Sequence, residues 1–247
     1  MRYFIGNWKM FGIPKSINIL NKINSFNSRD KNRNKYRVII TPPYTLLETY
    51  SKYFRFKKIS IGSQNCYYKD HFSSDTAAIS PYMIKSVGAK YTLIGHSDNR
   101  KEGDTNEILK KKVQFALENN LKVIFCIGEN KIEKKNKKTF NVLKRQIINV
   151  LNYKININNI IVAYEPIWSI GTGQIPTKTE LEKTIIHVKK ILKNTLKNKN
   201  PLVLYGGSVD GNSVKVFREI KEIDGFLIGG ASKSSKKFID IIKNYYR

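Results

Sequence analysis

Tyr3-Phe4-Ile5-Gly6-Asn7-Trp8-Lys9 opens the chain with an apolar, aromatic run that ends in an amide and a lysine. The run reads as a short buried strand. In a doubly wound dinucleotide-binding sheet the first strand feeds a G-x-G-x-x-G turn, whereas here it feeds Gly6-Asn7-Trp8-Lys9. Working outward, short β-branched or aromatic runs alternate with longer polar segments of helical period about eight times. Candidate strands are 3–8, 38–41, 59–64, 91–94, 123–127, 160–164, 202–205 and 225–228, and the clearest helices are 106–119, 139–151, 179–196 and 236–245. An Asn-rich joint, 152–159, precedes the sixth strand. Alternating strands and helices imply a parallel sheet. Eight such units in 247 residues fit a closed (β/α)8 barrel, an α/β fold spanning 1–247 as a single domain.

Composition narrows the function classes. The net charge of +26 invites a nucleic-acid reading, but nine of the 45 basic residues are Arg and the other 36 are Lys. Arginine is the residue that grips bases and phosphates bidentately, and it is the scarce one. The Lys, Asn and Ile bias is what an AT-rich genome leaves at surface positions. The run Lys131-Ile132-Glu133-Lys134-Lys135-Asn136-Lys137-Lys138 reads as a solvated helix face. No specific nucleic-acid partner is expected, although weak polyanion binding fits the charge. No apolar run approaches the roughly 20 residues a bilayer requires, so no membrane association is expected. The N-terminus lacks both an apolar h-region and a small-residue cleavage site, which points to the cytoplasm. Two cysteines, Cys66 and Cys126, read as buried thiols, and His71, His96 and His187 have no paired spacing, so no metal site is expected.

A barrel enzyme draws its chemistry from several strand C-termini. Polar residues recur at those positions: Asn7 and Lys9, Gln64 and Asn65, His96, Glu129, Glu165 and Ser208. Each has a structural reading when taken alone, such as a satisfied core histidine at His96, a snorkelling Lys9 or a buried ion-pair partner at Glu165. Their shared placement favours a site. Three glycine-rich turns follow the last three strands: Gly171-Thr172-Gly173, Gly206-Gly207-Ser208 and Gly229-Gly230-Ala231-Ser232. Glycines let backbone N–H groups approach an anion, and a helix N-terminus after the last turn adds a favourable dipole, so the set reads as a phosphate cradle.

Over its full length the chain resembles the triosephosphate isomerase family. The resemblance is carried by Asn7-Trp8-Lys9-Met10, Gly95-His96-Ser97, Cys126-Ile127-Gly128-Glu129, Ala163-Tyr164-Glu165-Pro166-Ile167-Trp168, Gly171-Thr172-Gly173, Tyr205-Gly206-Gly207-Ser208-Val209 and Gly229-Gly230-Ala231-Ser232. It implies a TIM barrel that interconverts glyceraldehyde 3-phosphate and dihydroxyacetone phosphate, with Glu165 as base and His96 and Lys9 as electrophilic donors. Asn7 adds a further polar contact. This family is itself the standing example of a carboxylate base, a neutral histidine at a helix N-terminus and a closing lid. The lid corresponds to 168–173, and Gly171, Ser208, Gly229 and Gly230 are implied to hold the phosphate through backbone N–H groups. The resemblance implies no metal or organic cofactor, because only protons move, and a homodimer in which Thr76 enters the neighbouring subunit.

Departures from the family pattern carry their own expectations. Asp98 stands where the family has Glu, one methylene longer, so its contact with Lys9 is expected to be altered or bridged by water. Phe11 replaces an Asn beside the first loop. The far lid hinge reads Gln174-Ile175-Pro176, where proline narrows the backbone range. Thr76-Ala77-Ala78 and Asn99 replace both halves of an intersubunit Glu–Arg pair, from which a weaker dimer is expected. Two other readings stand beside the isomerase: a Schiff-base aldolase using Lys9, and a catalytically impaired barrel that binds polyanions or nucleic acid.

Overall fold

The computed structural model describes residues 1–151, 157–197 and 199–247. Eight strands are present: β1 (Arg2–Asn7), β2 (Tyr36–Thr41), β3 (Ile59–Ser63), β4 (Tyr91–Ile94), β5 (Lys122–Ile127), β6 (Ile160–Tyr164), β7 (Leu202–Tyr205) and β8 (Gly225–Ile228). They pair in chain order, and β8 returns to β1 to close the barrel. Every pairing is parallel, as in Ile5 beside Ile39 and Phe4 beside Phe226. The expected strands are all found, four with the expected ends and four with ends displaced by one or two residues. The Asn-rich joint lies largely outside the described residues, of which Ile157–Asn159 forms a 3-10 turn leading into β6.

The strands sort their side chains by alternation into two apolar layers. Ile5, Ile39, Leu93, Ile124, Cys126, Ile161, Ala163, Leu204 and Leu227 form a cluster made only of strand residues, which is the barrel interior. Their neighbours Phe4, Val38, Ile94, Val123, Phe125, Val162, Val203 and Phe226 pack outward against the helices. Burying one such Ile, Leu or Phe contributes about 1.5–3 kcal/mol, so the two layers together are the main source of stability.

The expected helices appear at Asn106–Glu118, Lys178–Leu196 and Ser235–Tyr246, while the fourth, Thr139–Ile148, stops three residues short of the expected end. Thr177 begins Lys178–Leu196 with a capping box, its hydroxyl accepting from Glu180 N while the Glu180 carboxylate reaches back to Thr177 N. The basic run is helical only over Lys131–Lys135, capped in the same way by Asn130 and Glu133. Lys137, at φ +56°, adopts the left-handed backbone just beyond it. Among the described residues no helix is long and apolar enough to cross a membrane.

Candidate active site

A cleft of about 480 Å3 opens at the C-terminal mouth of the barrel. Asn7, Lys9, His96, Glu165, Gly171, Ser208, Gly229 and Gly230, contributed by five different strand ends, all line it. Gln64 stands one layer behind. Asn65 instead bonds Lys112, and Glu129 lies beneath the lid hinge, so neither lines the cleft.

Alternation brings Asn7 inward from Ile5, and its Oδ1 accepts the Lys9 N–H at 3.0 Å. Lys9 is left-handed at φ +54°, a conformation worth on the order of 1–3 kcal/mol of strain in a non-glycine residue. Gln64 holds it there by donating from one amide nitrogen to the carbonyls of Lys9 and Thr41, at 2.8 and 2.9 Å. The Lys9 ammonium meets the Asp98 carboxylate directly at 3.1 Å. The shorter acid therefore reaches Lys9 directly and needs no bridging water, one of the two outcomes expected from its length.

His96 is not placed by alternation. Gly95, at φ +80°, ends the pleat one residue earlier, and its carbonyl is tied by Arg100 Nε at 2.7 Å while Arg100 Nη2 reaches Cys126 O at 3.0 Å. His96 then caps the five-residue helix Ser97–Lys101, its Nδ1 accepting the Asp98 N–H at 3.1 Å. A ring nitrogen that accepts carries no proton, which leaves the proton on Nε2. Nε2 faces Glu165 Oε1 at 3.7 Å, and both residues are about 95% buried.

Glu165 follows the inward residues Ile161 and Ala163 in parity, and its backbone N–H donates to Ile127 O at 2.7 Å. Gly206 is the reason its side chain fits, because a Cβ there would lie 2.5 Å from Glu165 Cγ. Beside it, burial and the Glu165 carboxylate push the Cys126 thiol well above its ordinary pKa. Cys66 and Cys126 are both free and buried, as expected.

A Cβ added at Gly171, Gly229 or Gly230 would meet nothing within 4 Å, so these glycines front open space. The element directly after β8 is a 3-10 turn, Gly230–Lys233, rather than an α-helix, and the long helix begins only at Ser235. The lid segment leaves the barrel through a 3-10 turn, Ile167–Ser169. Trp168 Nε1 donates to Glu129 Oε1 at 2.8 Å, and Tyr164 donates to the same oxygen at 3.1 Å. On the far side Gly173 N donates to Ser208 Oγ at 3.1 Å. Asp210 and Lys237 also line the cleft. Sequence reading passed over both because neither sits at a strand end or in a glycine turn.

A parallel barrel whose mouth gathers a buried carboxylate, an imidazole, a lysine and a set of open glycine turns is the scaffold of an acid–base enzyme acting on a phosphorylated substrate. The profile of the triosephosphate isomerase family matches residues 2–245. Triosephosphate isomerase of Buchnera aphidicola subsp. Cinara cedri is 40% identical over 97% of this chain and 96% of its own. That of Saccharomyces cerevisiae is 35% identical over 98% of each. The crystal structure of triosephosphate isomerase from Bartonella henselae superimposes with a TM-score of 0.90 at 30% identity, covering 100% of this chain and 99% of that one. The chain belongs to the triosephosphate isomerase family. It is an intramolecular aldose–ketose isomerase, and a phosphorylated triose is its substrate.

Proposed function

We propose that the cleft interconverts D-glyceraldehyde 3-phosphate and dihydroxyacetone phosphate through an enediolate, with Glu165 as base and His96, Lys9 and Asn7 as the polar groups around the reacting oxygens. Glu165 takes the proton from the carbon next to the carbonyl. Charge then develops on the carbonyl oxygen, where the His96 Nε2–H and the Lys9 ammonium are preorganised donors. Returning the proton to the neighbouring carbon, while the hydroxyl proton passes from that oxygen to the former carbonyl oxygen, completes the isomerisation with no change in composition. The observation that carries this reading is the His96 ring, with Nδ1 engaged by the Asp98 N–H and Nε2 turned to Glu165. An imidazole fixed in this way donates as a neutral acid.

Gly171, Gly229 and Gly230, with Ser208, are the phosphate cradle in this reading, and 168–173 closes over it to exclude water. Closure also keeps the enediolate from expelling phosphate. The test is the rate of triose-phosphate interconversion beside a Glu165→Ala variant prepared identically. General-base assistance is worth about 10²–10⁴-fold, and a folded variant that kept the wild-type rate would end the assignment.

The chain is a homodimer in this reading, with Thr76 in the loop that enters the partner. Met10 at 98% exposure and Phe72 at 78% are apolar surfaces that such a contact would cover. Phe72 packs edge-on against Tyr82, which also stacks on His71, so this part of the surface is aromatic and ordered. Ala78 and Asn99, in place of a charged pair, make the dimer weaker than is usual for the family. Sedimentation showing a dimer that persists at nanomolar concentration would remove that part. The cytoplasm is its compartment.

A further inference from the structure

Ser169 is fully buried at the start of the lid, and its hydroxyl touches three separate segments. Ser169 Oγ donates to Gln174 O at 2.5 Å, on the far side of the lid. It accepts the Ser208 backbone N–H at 3.2 Å, in the turn after β7. It also lies 3.1 Å from Tyr205 Oη, at the end of β7. With its only proton committed to Gln174 O, the hydroxyl accepts from Tyr205, so its one donor and two acceptor sites are all in use.

Two features show that the surroundings are shaped to this hydroxyl. A Cβ at Gly207 would lie 2.2 Å from Tyr205 Oη and 2.5 Å from Ser169 Oγ, so only glycine leaves room for the pair. Pro176, buried in the far hinge, has no N–H to offer the barrel. The far end of the lid is therefore tied through the Gln174 carbonyl to Ser169, and through the Gly173 N–H to Ser208 Oγ. Ser208 Oγ in turn donates to Ser169 O at 2.6 Å.

We infer that Ser169 is a positioning residue for the isomerisation: its hydroxyl joins both ends of the lid to the Tyr205–Ser208 turn and so holds the lid over the phosphate cradle. The inference rests on the lid reading given above. Ser169 does not touch the reacting atoms. It acts by keeping Gly171 and Ser208 in register, and its loss leaves Tyr205 Oη buried without that partner and frees the Gln174 carbonyl from its tie.

The experiment compares wild type with Ser169→Ala, Tyr205→Phe, the double variant and a deletion of 170–173, all shown to be folded by circular dichroism. Each turns over D-glyceraldehyde 3-phosphate while isomer and free inorganic phosphate are followed together. Elimination needs no co-reactant: the enediolate breaks its C–O bond to phosphate, which leaves with the electron pair, and the triose phosphate becomes methylglyoxal plus inorganic phosphate. Ser169→Ala is expected to raise KM and the fraction of turnovers ending in phosphate by about tenfold, the loss typical of one buried hydrogen-bonded group. Tyr205→Phe is expected to do the same more weakly, with the double variant close to Ser169→Ala because the two groups act as one unit. If the deletion raises elimination and Ser169→Ala leaves KM and elimination at wild-type values, the positioning role is overturned and the lid reading stands. If the deletion also leaves elimination unchanged, the lid reading falls and this inference falls with it.

Discussion

His96 Nε2 stands 3.7 Å from Glu165 Oε1, just beyond hydrogen-bond range, with both side chains buried. The two groups therefore line the same cleft without bonding each other, so that each can address a different atom of a substrate lying across them. Glu165→Asp withdraws the carboxylate by one methylene, and a misplacement of about 1 Å costs roughly 10²-fold. We expect kcat to fall by about that factor, with KM moving less than threefold. Steady-state kinetics in both directions checks it, and a loss confined to KM would contradict it.

Glu129 accepts from Trp168 and Tyr164 through Oε1, while Oε2 is buried with no partner among the described residues. Burial raises its pKa above the ordinary 4.5, and the hydrogen bonds only partly offset this. The sign follows from linkage: an acid held protonated by the fold stabilises fully below its unfolded pKa, and that stabilisation is lost as pH rises through the folded pKa. Glu129→Gln keeps an acceptor for both donors and cannot ionise. Its melting temperature is expected to match wild type near about pH 4 and to exceed it near about pH 8. A difference independent of pH would refute the ionisation argument.

Lys112 is a buried ammonium, only 4% exposed, with all three of its donors used: Asp104 Oδ1 and Oδ2 at 2.7 and 2.8 Å, and Asn65 Oδ1 at 3.0 Å. Removing one partner strands a charge, so Asp104→Ala should lower unfolding free energy by about 3–5 kcal/mol. Replacing both partners with apolar residues, Lys112→Met with Asp104→Leu, should recover most of that loss. Urea unfolding of the three proteins decides it, and a double variant as unstable as the single would exclude the stranded-charge explanation.

Ala77 sits at φ +64° in the loop that carries Thr76, a backbone that costs an L-residue about 1–2 kcal/mol. Glycine accepts it freely, at the expense of about 0.4–1 kcal/mol of extra freedom in the unfolded chain. Ala77→Gly is therefore expected to stabilise by about 0.5–1 kcal/mol, read as a rise in the thermal midpoint at fixed protein concentration. A lower midpoint would show that the loop does not hold this backbone in solution.

The local code of the chain determined the barrel and much of its mouth. Strand alternation alone carries Ile5 to Asn7 and Ala163 to Glu165 on the inner face, because a pleat has a strict period of two. The glycine turns after β6, β7 and β8 were legible for the same reason, since their spacing follows strands whose direction is already known. The tertiary structure alone decided the rest. His96 reaches the cleft because Gly95 breaks the pleat and Arg100 clamps the break. Lys9 meets Asp98 across 89 residues of chain. Glu129 leaves the mouth to hold Trp168, and Ser169, an ordinary serine in the sequence, becomes the centre of hydrogen bonds to three segments. Most of these contacts join residues distant in the chain, and no local period records which distant groups closure of the barrel brings within hydrogen-bond reach.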